Sequence, residues 1–371
     1  MKQSSRINYL RQLCSLQVAG SALMPVVIAQ VSELLGSDMC CFNWLTDQGE
    51  LSHAHTVGLL PSPEVVQRYT QQYVNRSERE LGVTTRELAG RPAQMVGSRS
   101  LGARFLHTVL FNDILQPMGL RYILSAGVFV DGRMVGTLAC NRMSDQAEFS
   151  ASDTRQLAHV LPYLALACTQ QEAADTPWSE EDERGALIVN MQGAICHADG
   201  LGLHRLYRAT HNAASHVGAN MDELMSRPLR LLTQRIAAIE AGTASLLPDM
   251  TLVSDGRRFT LKARSLRTSP HQPLDRVLIS IGEWIPTALK TLPWLQAQGL
   301  SARQRELALL MSQGASLPEA ALRLGVSRHT ASSYLDIIYA KLGVNNREAL
   351  RVQLLCASAV KAPLDPYAAG A

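Results

Sequence analysis

A chain of 371 residues exceeds what one ordinary core fills, so two or three domains are expected. Its 46% apolar and 18% charged residues exclude disordered and fibrous classes, and a net charge of +3 spread along the chain makes no case for nucleic acid by bulk field alone. Cysteines at 14, 40, 41, 140, 168, 196 and 356 form no C-x2-C pair, so neither a disulfide framework nor a zinc site is indicated, and a cytoplasmic location with no metal or cofactor is expected.

Lys2, Arg6 and Arg11 precede an apolar segment from Leu13 to Val31, but Ser15, Gln17, Ser21 and Pro25 interrupt it and no small-residue cleavage pattern closes it. It reads as a buried amphipathic helix ending near Gly36, and no run suits a membrane span. Met39 to Leu45 and Leu51 to Val57 read as strands about an Asp47-Gln48-Gly49 turn, and Pro61 to Val74 returns to helical spacing. Tyr122 to Val130 and Met134 to Asn141 flank Asp131-Gly132-Arg133, a strong hairpin signal. Ser150 and Asp153 then cap a helix with Leu157, Val160, Leu161, Leu164 and Ala165 at helical spacing.

This order of elements, the DGRMVGTLAC hairpin and the closing FSASDTRQLAHVLPYLALA helix resemble a GAF domain over residues 1–172, which implies an α/β sensor fold. Trp44, His53, His55, Tyr122 and Cys140 lie on or near its strands and are the candidate ligand-pocket residues, although each also reads as ordinary core.

The polar stretch from Gln170 to Arg184 reads as a linker, assigned to residues 173–184. A hairpin from Ala186 to His197 about Gln192-Gly193, strands from Thr251 to Ser254 and Arg258 to Leu266 about Asp255-Gly256, and a strand from Val277 to Trp284 give a PAS-like domain over 185–285. It reads equally as a packing module that binds nothing. Residues 286–298, with Pro286 and Pro293, form a helical connector to a last domain at 299–357, followed by a tail at 358–371.

That last domain carries repeated helix starts. Ser301 with Gln304, Ser316 with Glu319 and Asn345 with Glu348 have capping-box spacing, and Ser327 can cap a further helix. Apolar positions recur between them at Leu307, Leu310, Met311, then Leu317, Ala320, Ala321, Leu324, then Ala331, Leu335, Ile338, Leu342. Four short helices sharing one core are predicted. Gly325 permits a reversal while Ala320 and Ala321 allow close crossing, as a helix-turn-helix requires.

The segment from Leu300 to Leu350 resembles the DNA-binding domain of the LuxR family, with Leu300, Ser301, Arg303, Glu306, Gly314, Glu319, Ala321, Leu324, Ser327, Thr330, Leu335, Lys341, Leu342, Gly343, Val344 and Arg347 at matching positions. The resemblance implies an α+β multidomain regulator: a GAF-like domain, a PAS-like domain and an all-α helix-turn-helix domain. Implied partners are operator DNA, a second copy of the chain through the last helix, and a small-molecule effector, with no membrane. The acidic clusters of a phosphorylated receiver and the Trp, Tyr and Asp pattern of an acyl-homoserine-lactone receptor are absent.

Candidate DNA contacts are Ser327, Arg328, His329, Thr330, Ser332, Ser333, Tyr334, Asp336, Lys341 and Arg347. Arg328 and His329 stand where such helices approach the groove, and Lys341 and Arg347 suit phosphate. Thr330 and Tyr334 read equally as structural, and Arg303 and Glu306 as a pair within the domain. Ser332, Ser333 and Tyr334 depart from the family's longer polar residues, and Asp336 stands where Arg is common. That departure keeps open a protein-interaction regulator whose degenerate helix-turn-helix no longer binds DNA. No phosphate loop, dinucleotide fingerprint or nucleophile elbow is present, so no enzyme is expected.

Overall fold

The computed structural model describes residues 3–59, 61, 65, 68–73, 95–171, 176–210, 221–243, 247–254, 256–267 and 274–357. Of the expected helix at 61–74, Tyr69–Tyr73 is helical, while residues 62–64, 66, 67 and 74, together with Asp255 and the tail at 358–371, lie outside the described residues. The chain divides into two compact units, one of residues 1–176 with 287–371 and 213–217, the other of 177–212 with 218–286.

In the first unit, helices α1 (Gln3–Cys14) and α2 (Gly20–Leu35) replace the single opening helix that the apolar run suggested. The chain breaks between them, and α2 is buried almost all round rather than on one stripe. Gly36, at φ 58°, ends α2 and returns its amide to Ser32 O. The sheet has order β2-β1-β5-β4-β3, all antiparallel: β1 (Met39–Leu45), β2 (Leu51–Gly58), β3 (Met95–Gly97), β4 (Leu120–Val130) and β5 (Arg133–Met143). Asp131 and Gly132, at φ 49° and 78°, form the two-residue turn between β4 and β5, the left-handed geometry that Asp-Gly favours.

Helix α3 (Ala151–Thr169) starts at Ser150, whose hydroxyl accepts from Asp153 N while the Asp153 carboxylate accepts from Ser150 N. One sheet face, carrying Cys40, Phe42, Leu124, Ala126, Leu138 and Cys140, is buried and packs against α2 and α3. At the start of α2 a Cβ on Gly20 would lie 2.6 Å from Ala167 O, so only glycine lets these helices meet.

The second unit repeats that strand connectivity, in order β8-β7-β11-β10-β9: β7 (Gly185–Asn190), β8 (Ile195–Ala198), β9 (Asp249–Ser254), β10 (Arg257–Leu266) and β11 (Arg276–Pro286). Helices α4 (Gly200–Thr210) and α5 (Met221–Glu240) cover one face, with Leu206, Leu229 and Leu232 packed on Leu187, Phe259, Leu261 and Ile279. The strands were expected here as those of a PAS-like domain, whereas the two helices were not marked in the sequence. The stretch expected to be a bare linker instead contributes a strand, β6 (Trp178–Glu180), which pairs with β11 through Trp178, Ser179 and Glu180. Charged composition misled there, because a three-residue edge strand needs no apolar pattern.

Beneath the sheet, Glu283 is buried among arginines: Arg257 Nη1 lies 2.5 Å from Oε1, Arg208 Nη1 3.1 Å from Oε1, and Arg205 Nε 3.5 Å from Oε2. Burial alone would raise its carboxyl, but the three guanidinium charges outweigh burial and hold it at about 2.

Five helices close the first unit: α6 (Thr287–Ala297), α7 (Ala302–Ser312), α8 (Leu317–Leu324), α9 (Arg328–Leu342) and α10 (Arg347–Ala357). The expected connector is therefore α6, and it is more than a tether, since its buried Leu289, Leu292 and Leu295 lie on a helix packed against α7 and α10. No helix among the described residues is long and apolar enough to cross a membrane.

Candidate nucleic-acid interface

Local sequence fixes each helix start in the C-terminal bundle. Ser301 and Gln304 exchange side-chain and backbone bonds at the head of α7, and Ser316 and Glu319 do so at α8, where these bonds hold the Glu319 carboxyl below its ordinary value. Ser327 Oγ accepts from Thr330 N at 3.0 Å and lies 2.8 Å from Thr330 Oγ1. The last cap differs from expectation: Asn346, not Asn345, accepts from Ala349 N at 2.8 Å, and Glu348 pairs with Arg351. Two adjacent asparagines offer the same chemistry, and the helix begins one residue later than the Asn345 spacing implied.

Helices α8 and α9 form the turn of the motif. Gly325, at φ 63°, closes α8 in the left-handed region, and Val326 N returns to Ala321 O at 3.1 Å. Ala320, Ala321 and Leu324 on α8 are buried, as are Ala331, Ile338 and Leu342 on α9, and the two helices pack together, so the buried side of α9 is the one expected. Leu335 is only half-buried.

The other side of α9 is turned to solvent. Arg328, His329, Ser333 and Asp336 are exposed, while Thr330, Ser332 and Tyr334 are half-buried. No hydrogen bond or ion pair engages the Arg328, His329, Ser332, Tyr334 or Asp336 side chains among the described residues. Ser333 Oγ donates back to His329 O at 3.2 Å. Lys341 and Arg347 are exposed and each makes one bond to a backbone carbonyl: Lys341 Nζ donates to Gly299 O at 2.7 Å, and Arg347 Nε to Met311 O at 3.2 Å. Arg303 and Glu306 pair at 3.2 Å. Leu322 on α8, 83% exposed, and Ile337 on α9 add an apolar element that periodicity did not mark.

In the first domain, four of the five candidate pocket residues share the helix-covered sheet face and Tyr122 stands apart. Trp44 stacks on His53 at 5.4 Å between centroids, and His53 meets His55 edge-on at 5.4 Å. These three lie on the helix-covered face, where Trp44 approaches Gly20, and burial lowers the His53 imidazole to about 4. Cys140 faces Cys40 at 3.7 Å within the core; that hydrogen bond and burial raise the Cys40 thiol well above its usual value. Tyr122 instead lines a groove of about 280 Å³ with Ser98, Arg99, Phe105, Arg121 and Glu148.

Alternation along the strands puts a different set on the opposite face. Thr56 Oγ1 donates to Cys41 Sγ at 3.4 Å, Cys41 Sγ to Asn43 Oδ1 at 3.3 Å, and Asn43 Nδ2 to Thr137 Oγ1 at 3.2 Å. This polar ladder was not singled out from sequence, although polar residues alternating with Cys40, Phe42 and Trp44 were its signal. Among the described residues no group of three His, Cys, Asp or Glu side chains could hold a metal ion.

Comparison with known proteins bears on both domains. No curated protein matches the chain in sequence. Among solved structures, a GAF domain/HD domain protein from Geobacter sulfurreducens is 16% identical, covering 43% of this chain and 95% of its own, with a TM-score of 0.32. The Vibrio cholera VqmA–ligand–DNA complex is 15% identical, covering 48% of this chain and 85% of its own, with a TM-score of 0.23. The GAF domain family model matches residues 21–168, and the model for bacterial regulatory proteins of the luxR family matches residues 298–353. These two matches fall on the β2-β1-β5-β4-β3 domain and on the α7–α10 bundle, so the chain joins a GAF domain to a helix-turn-helix domain of the luxR family of bacterial regulatory proteins.

Proposed function

We propose that the protein is a sequence-specific transcription regulator that reads duplex DNA through α9 and answers to a signal received by its N-terminal domains. The observation that carries this reading is the α8–Gly325–α9 turn, which buries Ala331, Ile338 and Leu342 and leaves the Arg328–Asp336 side of α9 in solvent. A helix so presented suits the major groove, with its N-terminal residues nearest the base edges. Arg328 suits guanine or phosphate, Ser332 and Ser333 suit either, and Lys341 and Arg347 retain protons for phosphate beyond the one bond each already makes.

The sensory half is proposed to take a small molecule on the polar face of the GAF sheet around Cys41, Asn43, Thr56 and Thr137, or in the groove beside Tyr122. The face holding Trp44, His53 and His55 is occupied by helices. Residues 185–285 are proposed as a PAS-like module, supported by strand connectivity alone. The chain is proposed to act as a homodimer through α10, since two half-sites require two reading helices.

A second reading has its own support. Asp336 faces outward at mid-helix, and Lys341 and Arg347 are each already bonded to a carbonyl, so the reading face is weakly basic. On that reading the domain binds another protein. Titrating the full chain against a random duplex over a range of salt separates the two. A DNA reader loses affinity linearly in log salt, with a slope of roughly −0.9 per phosphate neutralised, whereas binding that is absent or flat in salt favours the protein partner.

A further inference from the structure

The first turn of α7 is gripped by the opening helix of the chain. Gln12, near the end of α1, is 1% exposed. Its carboxamide oxygen accepts from Arg305 Nε at 3.0 Å and from Nη2 at 2.5 Å. Its amide nitrogen donates to Ala302 O at 2.5 Å and reaches Glu306 Oε1 at 3.3 Å. Arg305 Nη1 donates to Leu300 O at 2.7 Å, and Arg11 adds an ion pair to Glu306 at 3.7 Å.

Two features make this more than a surface contact. Arg305 is buried, and two of its three guanidinium nitrogens are satisfied by one neutral side chain from another domain. A buried cation depends on such bonds far more than an exposed one, because water cannot replace them. The contact also lies away from the reading side of α9, where Arg328, His329, Ser333 and Asp336 stay exposed. It fixes where the bundle sits without covering the edge that would meet DNA.

We propose that Gln12 and Arg305 form a latch seating the helix-turn-helix domain on the GAF domain, so that α1 sets the orientation of α9. The consequence for DNA rests on the regulator reading above. Half-sites about 34–36 Å apart need two reading helices at a fixed separation, and a domain swinging freely on its tether does not keep one. Any signal that shifts α1 against the GAF helices would move that separation.

The test is ¹⁵N relaxation on the full, perdeuterated chain. The wild type should give residues 302–354 the same rotational correlation time as residues 120–168. In Gln12→Ala, and separately in Arg305→Ala, the correlation time of 302–354 should fall roughly 1.5-fold or more, as befits a small domain released from a larger body. The double variant should fall no further. Gln12 lies on α1, which packs on α2 and α3 of the GAF domain, so its substitution does not remove any group from the helix-turn-helix core, and the result stands even if Arg305→Ala loosens that core. Equal correlation times in Gln12→Ala overturn the latch. The readout needs no DNA, so it succeeds or fails independently of the regulator reading.

Discussion

His53 shows how burial decides what a titratable side chain can do. Stacked on Trp44 and held by burial at about 4, it is neutral at pH 7. Its folded value lies below the unfolded value of about 6.5, so the unfolded chain binds the extra proton. The stability this contributes is present above pH 6.5 and is lost as the pH falls through about 4. The loss should be on the order of 2–3 kcal/mol for the GAF domain. Urea unfolding at pH 7 and pH 4.5 checks it, because His53→Phe keeps the ring stack and should flatten the difference. On the reading helix, charge decides. Asp336 is exposed among the groups proposed to meet DNA, where its charge would oppose phosphate, so Asp336→Asn should tighten binding to a random duplex about 3- to 10-fold at low salt. Fluorescence anisotropy reads that change, and equal affinities would remove Asp336 from the interface.

At the scale of elements, the helix-turn-helix stands on its caps. Ser327→Ala removes the bond to Thr330 N and should cost about 1 kcal/mol, visible as a lower unfolding midpoint with the mutated helix otherwise intact. Those caps are also why this region was legible: Ser301, Ser316 and Ser327 act within a few residues of sequence, and so does the Asp131-Gly132 turn. What sequence missed depends on contacts between distant segments. Strand β6 is specified by its partner β11 and not by its own composition. The opening apolar run splits into two helices because α2 is enclosed by both α3 and the sheet. Arg305 lies one turn from buried Leu309 on a buried stripe, and a charge there was the available signal for Gln12, 293 residues away in sequence. The pocket candidates were chosen by residue type, whereas the sheet's alternation assigns Trp44, His53 and His55 to the covered side.

The whole molecule repeats one sheet connectivity twice and then presents a small bundle whose outer helix is open to solvent. On the proposed reading, a signal reaches DNA by changing where the bundle points. The polar contact between α1 and α7 lies inside the unit that contains both the GAF and helix-turn-helix domains. Its proposed consequence for DNA requires that α9 reads sequence. Selection of the full chain against a randomised duplex pool tests this most directly. The account predicts enrichment of a two-part motif with half-sites about 10 base pairs apart, weakened by Arg328→Ala or Ser332→Ala. A pool that stays random with folded, dimeric protein would contradict it.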